Sequence, residues 1–115
     1  MDITELTARL RRFAKERDWQ QFHSPKNLAM ALSVEVAELV EHFQWLSEEA
    51  SRDLPDDVRA RVAEEIADVQ IYLVRLSDIL GIDILQTAER KLQSDETKYP
   101  VDRVKGSSRK YTDYE

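Results

Sequence analysis

The sequence predicts an all-α fold built on four helices. Three observations carry that expectation. Apolar residues recur at three- and four-residue spacings along several long segments. Gly and Pro, which interrupt helices, number only 2 and 3 in 115 residues. Asp, Ser or Pro stands where each periodic segment begins.

The totals narrow the function classes. A chain of 115 residues suits one domain and one modest core, expected to span 1–115 with an irregular tail from about 98. Lys and Arg total 17 against 23 Asp and Glu, a net charge of −6. That balance speaks against a nucleic-acid partner, which calls for a basic face. Without cysteine there is neither a disulfide framework nor a thiolate metal site. No apolar run reaches the ~18 residues of a membrane span, and Met1-Asp2-Ile3 does not open a signal peptide. A cytoplasmic protein with no membrane partner is expected.

Asp2 with Glu5 makes a capping box for a first helix ending near Asp18. Ile3, Leu6, Leu10 and Phe13 form its apolar stripe, and its arginines read as solvated charge. Trp19-Gln20-Gln21-Phe22-His23 follows as a short connection. Two aromatics and a histidine there are unusual, since turns favour Gly, Pro, Asn, Asp and Ser. Either Trp19 and Phe22 cap the core, or they wall a flat-sided pocket suited to stacking a base, at ~1–3 kcal/mol.

Ser24-Pro25 opens a second helix expected to reach about Leu46. Leu28, Leu32, Val36, Leu39, Phe43 and Leu46 form its apolar stripe, while Glu35, Glu38, His42 and Trp45 lie along another strip. Glu41 reads as solvated, and His42 as a surface or interface histidine. An acidic linker from Ser47 to about Leu54 leads to Pro55 and a third helix, which Gly81 ends. Its core stripe runs from Val58 through Val62, Ile66, Val69, Leu73 and Leu76 to Leu80, with Glu65, Asp68 and Tyr72 on the neighbouring strip. Asp83 with Gln86 caps a fourth helix expected to end near Ser94. Lys91 on that helix is a basic candidate, and Lys98, Arg109 and Lys110 are counter-charges for phosphate if the tail folds back.

The chemistry concentrates in Glu35-x-x-Glu38 and Glu65-x-x-Asp68. Residues three apart on a helix are neighbours, roughly 5–6 Å between Cβ atoms. Two carboxylates at that distance repel by about 3 kcal/mol at an effective dielectric near 20. Four converging acids therefore call for a cation, and Mg²⁺ takes hard oxygen ligands together with substrate phosphates. The competing reading of each pair is a solvated helix face. A di-iron bundle needs Glu-x-x-His pairs, and neither His23 nor His42 has a Glu three residues before it.

Taken together, the acid pairs, the Trp19-x-x-Phe22-His23 loop, Phe43-Gln-Trp45, Glu64-Glu-Ile-Ala-Asp-Val-Gln-Ile-Tyr-Leu73 and Ser107-Ser-Arg-Lys-Tyr111 resemble the MazG-like all-α nucleoside triphosphate pyrophosphohydrolases, dCTP pyrophosphatase branch. The resemblance implies a four-helix bundle assembling as a dimer or dimer of dimers. It implies a Mg²⁺-dependent hydrolase, with Mn²⁺ as a substitute, that cleaves between the α- and β-phosphates. Glu35, Glu38, Glu65 and Asp68 would hold metal; Trp19, Gln20, Gln21, Phe22, His23, Trp45 and Tyr72 would line the nucleotide pocket. Either Glu35 or Glu38 would deprotonate the attacking water, Glu38 being preferred because it is nearer Trp45. Two other readings stand beside it: a broad-specificity house-cleaning pyrophosphatase, and a non-enzymatic helical assembly module.

Overall fold

The computed structural model describes residues 1–109 and Thr112. Every regular element among them is helical. Four long helices dominate: α1 (Ile3–Glu16), α2 (Pro25–Glu41), α4 (Asp56–Ile79) and α5 (Ile84–Lys98), with single turns at α3 (Glu48–Ser51) and α6 (Val101–Val104). The chain forms two compact units, Met1–Ile82 and Asp83–Glu115. In the first, α2 packs along α4 as the principal pair, and α1 packs on α4 less extensively.

The helix starts are where side-chain caps demand them. The carboxylate of Asp2 accepts the Glu5 N–H at 2.8 Å, Ser24 Oγ the Asn27 N–H at 3.1 Å, and Asp83 the Gln86 N–H at 3.0 Å. Two ends share one device. At the end of α4, Gly81 (φ 67°) lets its own N–H reach the Asp78 carbonyl while Ile82 N–H reaches that of Ser77. The end of α1 repeats this with Asp18 at φ 54°, a left-handed position taken without glycine. Trp19 N–H then reaches Ala14 O at 2.8 Å, which folds Trp19 back over α1.

Several boundaries differ from the sequence reading. The second helix stops at Glu41 rather than near Leu46. Ser47 must be extended (ψ 162°) to cap α3, so the preceding residues unwind into tight turns, with Phe43 N–H on Val40 O and Leu46 N–H on Phe43 O. The expected acidic linker contains α3, which the Ser47 hydroxyl starts by accepting the Ala50 N–H. The fourth helix runs to Lys98, since nothing before Pro100 opposes it, and Pro100 itself caps α6.

Burial also differs. Ala14, Leu28, Val62 and Val74 are buried, yet Val36, Ile66, Leu73 and Leu80 from the expected core stripes are 41–53% exposed. α4 covers only one side of α2, and α2 and α1 together cover only part of α4, so the rest of these faces remains uncovered among the described residues.

Arginines read as solvated also take part in the architecture. Arg11 of α1 grips Asp78 of α4 through Nε at 2.7 Å and a terminal nitrogen, a two-pronged pair across the helices. Asp78 is 11% exposed at its side chain and also accepts from Arg75, which is 6% exposed.

Candidate active site

The α2–α4 pairing brings the two acid pairs together. One carboxylate oxygen each from Glu35, Glu38 and Glu65 lies within 4.8 Å of the others. Asp68 stands outside that tight group, but its charge still raises the carboxyls of Glu35 and Glu65. Glu35 is pushed up to about 7, first by burial and then by the adjoining Glu38 carboxyl, with Asp68 and Glu65 adding to it. Glu65 is raised by burial and by Glu38 and Asp68, against a small opposing pull from His42. His42 Nε2 is 3.9 Å from Glu65 Oε1, so it faces the cluster rather than open solvent.

Glu35 Oε2 and Glu65 Oε2 are sealed from solvent and meet no donor among the described residues. Buried polar atoms are normally paired, and an unpaired carboxylate oxygen is costly. An all-oxygen set with two orphaned oxygens matches a hard divalent cation such as Mg²⁺ or Mn²⁺. The solvated-face reading does not account for sealed oxygens.

A cleft of about 560 Å³ opens between α1, the Trp19–His23 loop and α4, and none of the four acids lines it. Trp19, His23, Tyr72 and Arg75 all line it. Tyr72 follows Asp68 by one turn of α4, about 6 Å along the axis. Trp19 is held edge-on to Phe13 (centroids 5.6 Å, 73°), and the Arg17 guanidinium covers the Phe13 ring at 3.7 Å. The loop is a 3-10 turn over Gln20–Phe22, tied to α2 by Asn27 Nδ2 donating to Phe22 O at 3.0 Å.

Other residues expected in the pocket are placed elsewhere. Gln21 Nε2 donates to Asp18, closing the loop on itself, and neither Gln20 nor Phe22 borders the cleft. Phe22 is 58% exposed. Trp45 is 88% exposed and lines neither cleft nor cluster within the chain, because the helix that would have carried it past Glu38 ends at Glu41. Among the phosphate candidates, Lys91 is paired with Asp95 at 2.6 Å along α5, and that carboxylate raises the Lys91 ammonium. The N–H groups of Arg109 reach Ser107 Oγ. Lys98 closes α5, and Lys110 lies outside the described residues.

The sequence reading missed Arg75. It lines the cleft while its Nε donates to His23 Nδ1 at 3.2 Å and a terminal nitrogen donates to Asp78 at 3.3 Å. The signal was a lone arginine inside the apolar run Leu73-Val74-Arg75-Leu76, with Asp78 three residues on.

Paired acidic helices beside an aromatic cleft define the class, and the comparisons place the chain within it. Residues 30–114 match the MazG-like family model. The chain belongs to the MazG-like family. It is 46% identical over 114 residues to dCTP pyrophosphatase 1 of Mus musculus and 42% identical to that of Homo sapiens, covering 97% of this chain in each case. It spans 65% of the length of those two relatives. The crystal structure of a pyrophosphatase from Archaeoglobus fulgidus DSM 4304 superposes with a TM-score of 0.80 at 44% identity, over 84% of this chain and 91% of that one.

Proposed function

We propose that this chain is a Mg²⁺-dependent nucleoside triphosphate pyrophosphohydrolase that cleaves the α–β phosphate bond and favours dCTP or a modified dCTP. One observation carries the reading. Carboxylates from two helices converge within 4.8 Å, and two of their oxygens are sealed without a donor. A module that only assembles has no use for that arrangement. The dCTP preference rests on the names of the relatives at 42–46% identity.

Glu35, Glu38, Glu65 and Asp68 would hold the divalent ion, which when bound neutralises triphosphate charge and stabilises charge developing at the α-phosphate. The sealed oxygens of Glu35 and Glu65 are committed to that role. Glu38 is half-buried like its two neighbours but carries no sealed, partnerless oxygen, which leaves it the carboxylate for the water. It takes the proton of the water attacking the α-phosphorus, the bond to the α–β bridging oxygen breaks, and pyrophosphate leaves with that electron pair. Trp19 and Tyr72 flank the base, and His23 reaches it from the loop. Uncovered apolar side chains on α2 and α4, Met30 (59%) and Val34 (55%) among them, support assembly into a tetramer of paired dimers. The cytoplasm is the compartment where such a nucleotide-pool enzyme works; among the described residues no helix is long and apolar enough to cross a membrane.

The test is pyrophosphate release from a panel of canonical and modified nucleoside triphosphates, with and without Mg²⁺. Mg²⁺-dependent turnover highest on a cytosine nucleotide is the expected result. Even turnover across the panel would select the broad house-cleaning activity instead. No turnover, together with no melting shift from Mg²⁺ and nucleotide, would leave the assembly module.

A further inference from the structure

The acid cluster accounts for phosphate chemistry but not for the choice of base. That choice belongs to the cleft, where one residue is out of keeping with its surroundings. Arg75 is 5% exposed and sits in an apolar stretch of α4, yet it borders the cleft beside Trp19, His23 and Tyr72. Burying a guanidinium is costly unless it is paired. Here the pairing is built in from α1 and α4: Asp78 accepts from Arg75 at 3.3 Å while Arg11 holds the same carboxylate from α1. Arg11 and Asp78 thus fix where the Arg75 side chain ends.

An arginine has five N–H donors and no acceptor. One on Nε is spent on His23 Nδ1 and one on Asp78, and the others meet no protein acceptor among the described residues. The same geometry fixes His23. A ring nitrogen that accepts from Arg75 carries no hydrogen, so the neutral ring bears its proton on Nε2 and is also a donor there. Burial, and then the Arg75 charge, lowers the His23 pKa and keeps the ring in that neutral form. The polar groups these two residues add to the cleft are therefore donors.

We propose that Arg75 is the specificity-determining residue of the cleft, presenting N–H donors alone to a base edge of two adjacent acceptors, the O2/N3 edge of cytosine. Among pyrimidines only cytosine offers that edge, since uracil and thymine carry a hydrogen on N3 that would face donor against donor. Asp78 and Arg11 are positioning residues for it. The inference deepens the proposed pyrophosphohydrolase reading and rests on it.

The experiment measures kcat/KM for dCTP, dUTP and 3-deaza-dCTP, in which the N3 acceptor is replaced by C–H. It uses the full chain with Mg²⁺, as wild type, Arg75→Gln, Arg75→Lys and Asp78→Asn. Wild type is expected to favour dCTP over both analogues on the order of 10- to 100-fold, the worth of a hydrogen bond to a charged group. Arg75→Gln, which offers an acceptor as well as donors, brings dCTP and dUTP towards parity. Arg75→Lys keeps the charge but loses the planar fork, and discriminates less than wild type. Asp78→Asn lowers the dCTP:dUTP ratio by releasing the guanidinium, a change that loss of stability alone would not produce.

The Mg²⁺-induced melting shift of each variant reports an intact acid cluster. Wild type accepting 3-deaza-dCTP as well as dCTP overturns the proposal with no variant needed, as does a folded Arg75→Gln that keeps the wild-type ratio. Absence of turnover on every nucleotide would instead remove the pyrophosphohydrolase reading beneath it.

Discussion

Glu35 of α2 and Glu65 of α4 each bury one carboxylate oxygen that no donor among the described residues reaches, and both carboxyls are raised by Glu38 and Asp68. The metal-free chain is therefore strained at its own site. For Glu35 the folded pKa of about 7 lies above the ordinary 4.5. The folded state holds the extra proton, so this residue's contribution to stability is full below about pH 4.5 and is lost as pH rises through about 7. With a chelator present, the melting temperature should fall between pH 5 and 8, and Mg²⁺ should restore most of the loss at the upper end. Glu35→Gln should raise metal-free stability at pH 8 by on the order of 1–2 kcal/mol and remove the Mg²⁺ shift. A metal-free melting temperature that climbs across this window would contradict the assignment.

Glu38→Gln keeps the size of the side chain and withdraws the proposed proton acceptor. Mg²⁺-dependent pyrophosphate release should drop at least a hundredfold, within the range for loss of a general base, while far-ultraviolet circular dichroism stays unchanged. Turnover at the wild-type rate would take Glu38 out of the chemistry.

Trp19 borders the cleft and Trp45 does not, so the two tryptophans report different things. In Trp45→Phe the remaining Trp19 emission should be quenched by Mg²⁺ and dCTP. Trp19→Ala should raise KM roughly tenfold with little change in kcat, as loss of one stacking face predicts. An unquenched Trp19 would mean that it only closes the core against Phe13. Trp45→Ala separates two further roles: weakened nucleotide binding in the assembled protein would show that assembly brings it to a site.

Removing Asp78 should hurt more than removing Arg11. Asp78→Ala leaves the buried Arg75 unpaired, at a cost of about 3 kcal/mol in chemical denaturation. Arg11→Ala leaves Asp78 still paired with Arg75, and Arg11 is 62% exposed, so its effect should be small. The Asp78 pKa is lowered, chiefly by the Arg11 hydrogen bond. Its contribution is therefore present above its ordinary 3.8 and lost as pH falls below that value.

The uncovered face of α2 predicts self-association. Light scattering should give the mass of four chains, and Met30→Glu, a charge at a 59%-exposed apolar position, should shift it downward. A wild-type monomer at micromolar concentration would remove the tetramer.

Local rules made much of this legible in advance. Asp2, Ser24 and Asp83 mark helix starts because capping needs only a side chain and the next three residues. Glu35, Glu38 and Glu65 converge because their strip faces across the α2–α4 pair, which period alone suggests. Long-range geometry was not legible. Nothing around Arg75 in the chain reveals that His23 lies 3.2 Å away, fifty-two residues earlier. Helical period also overstated burial at Ile66 and Leu73, since it identifies an apolar face without saying what covers it. The helix before Trp45 is shorter than its period suggests, since apolar spacing continues past Glu41 while the Ser47 cap requires the chain to unwind.

The left-handed residue at Asp18 has one last effect. It sets the direction of the Trp19 Cα–Cβ bond through the main chain, before any rotamer is chosen. Evolution, or a designer, can exchange that indole for a smaller or more polar ring and inherit that direction. Altering the wall's chemistry and altering its position are thus separate problems in this scaffold.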